Sequence, residues 1–306
     1  MNRIQMGSRQ TTVRLIGGLG NQLFIYYAGL YVSKKFNTKF VCDTSFLDSD
    51  RTKHGVSIAS FALEGEFLRK PKWSLRFAKV QDRFTSGLSS RSSLFKKLYQ
   101  KVTKYYYCSG VGYDPGLENL HRSVTLMGYF QTWRYAVALE EKNKMPLKIQ
   151  NPSPWFSQLA LIAQHTCPIV IHVRRGDYLE DVNSFIGVLG PKYYRNALDE
   201  IRKVGMIGPV WVFSDDMESA KLVLNLNIDE NINWIVAPKG TDPAEELALM
   251  QYGGAHIIAN STFSWWGAYL SHSTKLVIAP SSWFKNQSEP LDLIPPKWKR
   301  IENDWL

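Results

Sequence analysis

Apolar positions along this chain alternate between two spacings. Short runs rich in Val, Ile, Leu and Phe occur at 11–16 (TTVRLI), 39–42 (KFVC) and 123–129 (SVTLMGY), then at 168–173, 209–214, 232–236, 255–259 and 274–279. Such runs predict strands, and those without polar alternation predict strands covered on both faces. Between them apolar residues recur at helical spacing, as at Leu23, Tyr26, Tyr27, Leu30 and Tyr31. This predicts helices over 22–35 and 131–141, then over 191–204, 216–226, 242–252 and 262–270. Strand and helix in turn imply parallel sheets with right-handed crossovers.

The opening segment reads as a strand, a tight Gly17-Gly18-Leu19-Gly20 turn, a helix capped by Asn21 and a second strand. That is the start of a Rossmann-like domain. Residues 50–110 read as mostly helical. Prolines at 146, 152 and 154 mark 145–154 as a linker. The expected fold class is therefore α/β, two Rossmann-like domains, 1–150 and 151–306, facing a central cleft.

Composition adds bounds. The 306 residues suit two domains, and 44% hydrophobic content suffices for two cores. No apolar run reaches the ~18 residues of a membrane span. Residues 1–10 are polar and lack the apolar core of a signal peptide, so a cytoplasmic location is expected. Cys42, Cys108 and Cys167 are odd in number and widely spaced. They make neither a disulfide framework nor a zinc site, and buried or partly buried thiols are expected.

Charge is localised. Eleven basic residues lie from Arg69 to Lys104 against one acid, Asp82, so this segment carries the entire net charge of +10. Trp73, Phe77, Phe84, Phe95, Tyr99 and Tyr105 are interleaved with them. A solvated helical face, an anionic membrane surface and a nucleic acid would each suit this pattern. With no nucleic-acid-binding module elsewhere, the inner face of a membrane is favoured over nucleic acid.

Candidate chemistry follows the strands. The run Pro168–Ile171 leads into His172-Val173-Arg174-Arg175-Gly176-Asp177-Tyr178. Open α/β sheets bind ligands at the carboxyl ends of their strands, where two adjacent guanidinium forks suit a phosphate or diphosphate. The competing reading is a structural ion-pair knot. The Arg175-Gly176-Asp177 triplet also matches an integrin-binding tripeptide, a match too short to weigh. Phe213-Ser214-Asp215-Asp216 likewise ends an apolar run. One of its carboxylates can accept from guanine N1–H and N2 amine; the plainer role is to cap the next helix through Ser214 or Asp215. Asn260-Ser261-Thr262-Phe263-Ser264-Trp265-Trp266-Gly267-Ala268 begins a helix whose free N–H groups and hydroxyls suit an anion. Its tryptophans read as core, and its glycosylation sequon does not suit a cytoplasmic strand end. The Gly17–Gln22 turn lacks the third glycine of the dinucleotide fingerprint but lets backbone approach a ligand. Asp48-Ser49-Asp50 fits a metal-binding DxD pattern, without the buried strand that should precede it.

Together GGLGNQLF at 17–24, HVRRGDY at 172–178, FSDD at 213–216 and NSTFSWWGA at 260–268 resemble the bacterial α-1,2-fucosyltransferases of glycosyltransferase family 11, in order and spacing from Val13 to about Ala279. The resemblance implies a GT-B fold and metal-independent, inverting transfer of L-fucose from GDP-β-L-fucose to the 2-hydroxyl of a galactose. It implies an acceptor-side domain over 1–150 and a donor-binding domain over 151–306. It puts Arg174 on the β-phosphate and His172 and Asp216 on the guanine. Arg175 pairs with a carboxylate or assists, and Asp215, Ser261, Thr262 and Ser264 complete the donor site. Gly18 and Gly20 shape the turn, and Asn21 lies near the fucose. Asp177 is the candidate general base or a brace for Arg175. A galactose-terminated, lipid-linked O-antigen or capsule unit is the expected acceptor. The alternatives are a GDP-fucose transferase of α-1,6 or O-linked product, a non-catalytic nucleotide- or glycan-binding protein, and a nucleic-acid binder.

Overall fold

The computed structural model describes residues 9–47, 55–69, 103–108, 110–120, 123–139, 147–176, 185–225 and 231–306. The chain forms two compact units, one of residues 1–59 and 63–140, the other of 60–62 and 141–306.

In the first unit, β1 (Gln10–Arg14), β2 (Lys39–Asp43), β3 (Glu66–Leu68), β4 (Tyr105–Tyr107) and β5 (Val124–Met127) form one sheet in the order β3-β2-β1-β5-β4. All pairs are parallel. The helix α1 (Leu19–Phe36) follows β1 and buries Leu23, Phe24 and Ile25. It begins at Leu19 with Gly18 as its N-cap, so Asn21 is a residue of the first turn and not the expected cap. Extended Gly18 takes the capping place, with no side chain to bond the first turn. A short helix, α2 (Trp133–Ala138), follows β5 and is capped by the Thr132 hydroxyl.

In the second unit, α3 (Pro154–Thr166) precedes β6 (Ile169–Val173). Then come α4 (Pro191–Lys203), β7 (Val210–Ser214), α5 (Met217–Leu224), β8 (Ile232–Trp234), α6 (Pro243–Met250), β9 (Ala255–Ile257), α7 (Thr262–Tyr269), β10 (Leu276–Pro280) and β11 (Lys299–Ile301). The sheet order is β11-β10-β9-β6-β7-β8, again all parallel. This is the doubly wound Rossmann order: the chain moves outward from β6 to β8, then returns to β9 on the other side of β6. The core beneath is aliphatic and aromatic, with Ile171, Val173, Val212, Tyr193, Ala197 and Ile257 fully or almost fully buried.

The α/β class with two Rossmann-like units is thus what the chain forms. Four local expectations change. The described parts of 50–110 hold a single 3-10 turn (Ser57–Ser60) and the strands β3 and β4, not mostly helix. These strands are too short for periodicity to register. The described part of the 145–154 linker is anchored: Leu147 N–H donates to the Gln251 side chain at 2.8 Å, and Ile149 bridges Phe61. Pro154 opens α3, a helix absent from the reading, with Ser153 as its cap. Cys167 is exposed where it ends α3, in a left-handed conformation at φ 44°. The basic residues between Arg69 and Lys104, those two excepted, lie outside the described residues.

Candidate active site

Switch points of doubly wound sheets are where ligands bind. In the second unit the switch lies between β6 and β9. Arg174 and Arg175 follow β6, and the 258–261 segment follows β9 and leads into α7. Register then decides the contacts. The last β6–β7 pair is Val173 with Ser214, so Arg174 and Asp215 leave the sheet side by side. Arg174 Nε meets Asp215 Oδ2 at 3.2 Å, and the Arg175 backbone N–H donates to Asp215 Oδ1 at 2.9 Å. Asp215 is therefore the anchor of the arginine pair. A Cβ on Gly176 would overlap its Oδ2, which explains the glycine of the motif.

Asp215 thus pairs with the side chain of Arg174, while Asp177, the carboxylate expected beside Arg175, lies outside the described residues. Arg175 is 2% exposed, and its Nε and Nη2 have no hydrogen-bond partner among the described residues. Burial pulls its guanidinium below the ordinary value, against the opposing fields of Tyr194, Asp215 and Asp216. A buried cation left with unmet donors is costly unless an anion completes it.

His172 ends in the same state. It is 3% exposed, its Nδ1 has no hydrogen-bond partner among the described residues, and its ring lies 5.8 Å from that of Phe263 in the first turn of α7. Burial, then the Arg174 charge, lowers its pKa to about 3, so the imidazole is neutral. His256, equally buried on β9, shows what a structural histidine looks like. Its Nε2 donates to Met250 O at 2.7 Å, and its Nδ1 pairs with the Thr274 hydroxyl at 3.0 Å.

The other strand ends divide between support and site. Asp216, not Ser214 or Asp215, caps α5; its carboxylate accepts from Ser219 N–H at 3.1 Å and from the Ser219 hydroxyl at 2.6 Å. Those bonds lower its pKa. Ser214 is still in the strand, its hydroxyl folded against the Asp216 backbone. Asn260 is structural: its Nδ2 donates to Ile186 O, Gly187 O and Trp283 O within 3.2 Å. Ser261 caps α7, accepting from Phe263 N–H at 3.3 Å. Ser264 donates to Ser261 O at 3.2 Å, so its hydroxyl hydrogen is already used. Thr262, partly buried, opens the helix. Trp265 and Trp266 are core, both 0% exposed.

One acid was missed. Glu246, partly buried in the first turns of α6, has its pKa raised to about 7 by burial and then by the field of Asp215. Its neighbour Glu245 instead binds Ser153 through its backbone N–H and its hydroxyl, both at 2.6 Å. In the sequence both are ordinary first-turn acids of a helix, so nothing distinguishes them.

The first unit has its own switch point, between β1 and β5. The Gly17–Gly20 turn follows β1, with Gly17 at φ 73° and Gly20 buried in the first turn of α1. From the β5 side, Gln131 Nε2 donates to Asn21 Oδ1 at 2.8 Å. Gln131 was not singled out in the sequence. Asp177, Asp48 and Asp50 lie outside the described residues. Among the described residues, no group of three His, Cys, Asp or Glu side chains is arranged to hold a metal, and no helix is long and apolar enough to cross a membrane.

A doubly wound parallel sheet with two arginines and a buried histidine at its switch point defines a Rossmann-type α/β protein. The chain belongs to Glycosyl transferase family 11, whose model matches residues 114–302, and it is a glycosyltransferase. It is 28% identical over 295 residues to an alpha-1,2-colitosyltransferase of Escherichia coli, covering 94% of this chain and 98% of that one. It is 28% identical over 303 residues to the O-antigen biosynthesis glycosyltransferase WbnK of Escherichia coli, covering 90% and 95%. A third relative, galactoside alpha-(1,2)-fucosyltransferase 1 of Mus musculus, is 29% identical over 198 residues, covering 58% of this chain and 51% of that one.

Proposed function

We propose that this enzyme transfers L-fucose, or a close deoxy analogue of it, from a GDP donor to the 2-hydroxyl of a galactose in a bacterial surface glycan, inverting the anomeric centre. The observation that carries this reading is the buried guanidinium of Arg175, beside Arg174 at the switch point, whose Nε and Nη2 have no hydrogen-bond partner among the described residues. A diphosphate supplies the acceptor oxygens those donors lack. Negative charge grows on the β-phosphate as the sugar C1–O bond breaks, and fixed cations there stabilise it without a metal. Arg174, held by Asp215, takes that oxygen, and Arg175 assists in holding the diphosphate. The first-turn N–H groups of α7, with Thr262, complete the cradle. His172 and Glu246 serve the guanine. Glu246 replaces Asp216 as the carboxylate for N1–H and the N2 amine, because Asp216 is bonded to Ser219. Asn21 serves the transferring sugar, and Asp177 is the base for the acceptor hydroxyl.

The names of two relatives carry an α-1,2 linkage with different sugars, which supports the linkage and leaves the donor to experiment. Colitose is L-fucose without its 3-hydroxyl, so the two donors differ by one group. The first test is GDP release from GDP-fucose and from GDP-colitose, with galactose-terminated acceptors and excess EDTA. Acceptor-dependent release that survives EDTA is expected, and the preferred donor follows from kcat/KM. Loss with EDTA would overturn the metal-independent reading and implicate Asp48 and Asp50. GDP binding without release would favour a binding protein. The basic segment from Arg69 to Lys104 would bring the enzyme to an anionic membrane carrying a lipid-linked acceptor. Neutralising Lys96, Lys97, Lys101 and Lys104 is expected to weaken binding to anionic liposomes.

A further inference from the structure

Gln131 has no role in the reading above. It follows β5, is 8% exposed, and donates from Nε2 to Asn21 Oδ1 at 2.8 Å. The other end of the Asn21 amide lies over Gly17, where an added Cβ would stand 2.9 Å from Asn21 Nδ2. The turn beneath is itself fixed. Gln22 Nε2 donates to Gly17 O at 2.9 Å and to Gly55 O at 3.1 Å. One end of a partly exposed amide is thus held by Gln131, and the other stands over the glycine turn.

This has a chemical consequence. An asparagine amide offers an acceptor at one end and two donors at the other. Gln131 holds the Oδ1 end of the Asn21 amide, so the amide cannot flip without losing that bond, and Nδ2 is the end that presents N–H donors to an approaching group. We propose that Gln131 is a positioning residue that fixes Asn21 as a hydrogen-bond donor toward an oxygen of the donor substrate. The proposal rests on the reading in which Asn21 serves the transferring sugar.

Gln131→Glu is the informative variant, because it keeps the shape and reverses the polarity. A carboxylate only accepts, so the Asn21 amide turns to give it Nδ2 and shows Oδ1 to the substrate. The expected result is a kcat on the order of 10–100-fold lower, with the donor KM within about threefold and the melting temperature almost unchanged. Gln131→Met, which removes the bond without reversing it, is expected to lose less. In an Asn21→Ala background Gln131→Glu is expected to cost nothing further, since the two act as one unit. Unchanged kcat in Gln131→Glu, or the same loss in the Asn21→Ala background, would overturn the proposal. A second measurement is independent of turnover. The Asn21 side-chain amide resonance, identified by its loss in Asn21→Asp, is expected to shift in Gln131→Glu; if it stays in place, Gln131 does not orient Asn21. A wild-type enzyme inactive with both GDP-sugars would defeat the functional reading, and the resonance would still decide the coupling.

Discussion

Two residues of the proposed donor site, Glu246 and Arg174, carry opposite predictions for stability and function. Glu246 is a carboxyl raised to about 7, so folding disfavours its ionised form. Its folded pKa lies above the unfolded value of about 4.3, so stability falls as pH rises through that interval. Glu246→Gln is therefore expected to stabilise the free protein at pH 7.5 by about 1–3 kcal/mol. If the carboxylate reads guanine, the same change weakens GDP at least about tenfold, as a lost charge-assisted pair would. Urea denaturation and calorimetric titration of GDP check the two halves separately. Arg174 carries the complementary prediction. Arg174→Ala removes one partner of an ion pair that is 23% exposed on each side, a modest structural loss. Its catalytic loss is expected to be on the order of a thousandfold in kcat, the scale of removing a donor to a developing anion. Single-turnover GDP release beside a melting curve separates the two effects.

At the scale of elements, the site is made by strand ends and the register that aligns them. The motifs themselves were legible: His172-Val173-Arg174-Arg175 after an apolar run, and Asn260-Ser261-Thr262 before a helix. Their partners were not. Which arginine meets Asp215 depends on β6 and β7 pairing Val173 with Ser214, a tertiary fact that neither segment encodes alone. Gln131 escaped notice for the same reason, since its partner is 110 residues away. Glu246 was invisible because burial, not residue type, sets it apart from Glu245. Gly176 tests the strand-end geometry directly. Gly176→Ala would drive a methyl into Asp215 and dislodge its hold on Arg174. The expected outcome is kcat/KM lower by roughly 10–100-fold with the circular dichroism spectrum unchanged. Near-normal kinetics would mean that Asp215 can shift without consequence.

For the whole molecule, alternating strand and helix patterns were enough to anticipate two parallel sheets, while the short edge strands β3, β4 and β11 were beyond any periodicity. The second sheet holds two buried histidines on adjacent strands, His172 at about 3 and His256 at about 4. Both are neutral when folded and take up a proton below about 6.5 when unfolded. Their contribution is complete above that pH and is lost as pH falls toward the folded values, about 2 kcal/mol each by pH 5. Glu246 runs the other way over the same interval, offsetting part of the loss. Stability is thus expected to fall between pH 7.5 and 5, and to fall more steeply in Glu246→Gln than in the wild type. Urea midpoints of both proteins at the two pH values test this, and equal slopes would count against the Glu246 assignment.

The start of α4 has a consequence in time. Its N-cap, Gly190, has no side chain, and the missing acceptors come from the far end of the sequence. Asp304 accepts from Tyr193 N–H at 2.9 Å and from Lys192 N–H at 3.3 Å, and its backbone oxygen accepts from Gly190 N–H at 2.9 Å. Tyr193 in turn donates its hydroxyl hydrogen to Ile258 O at 2.7 Å, beside the strand end that leads into the site. During translation, then, α4 is made long before the residues that finish it. Nascent chains arrested before residue 304 has left the ribosome should hold a second unit that is collapsed but unlatched, open to protease near Gly190. The first unit, whose sheet needs nothing beyond residue 127, can by then have closed.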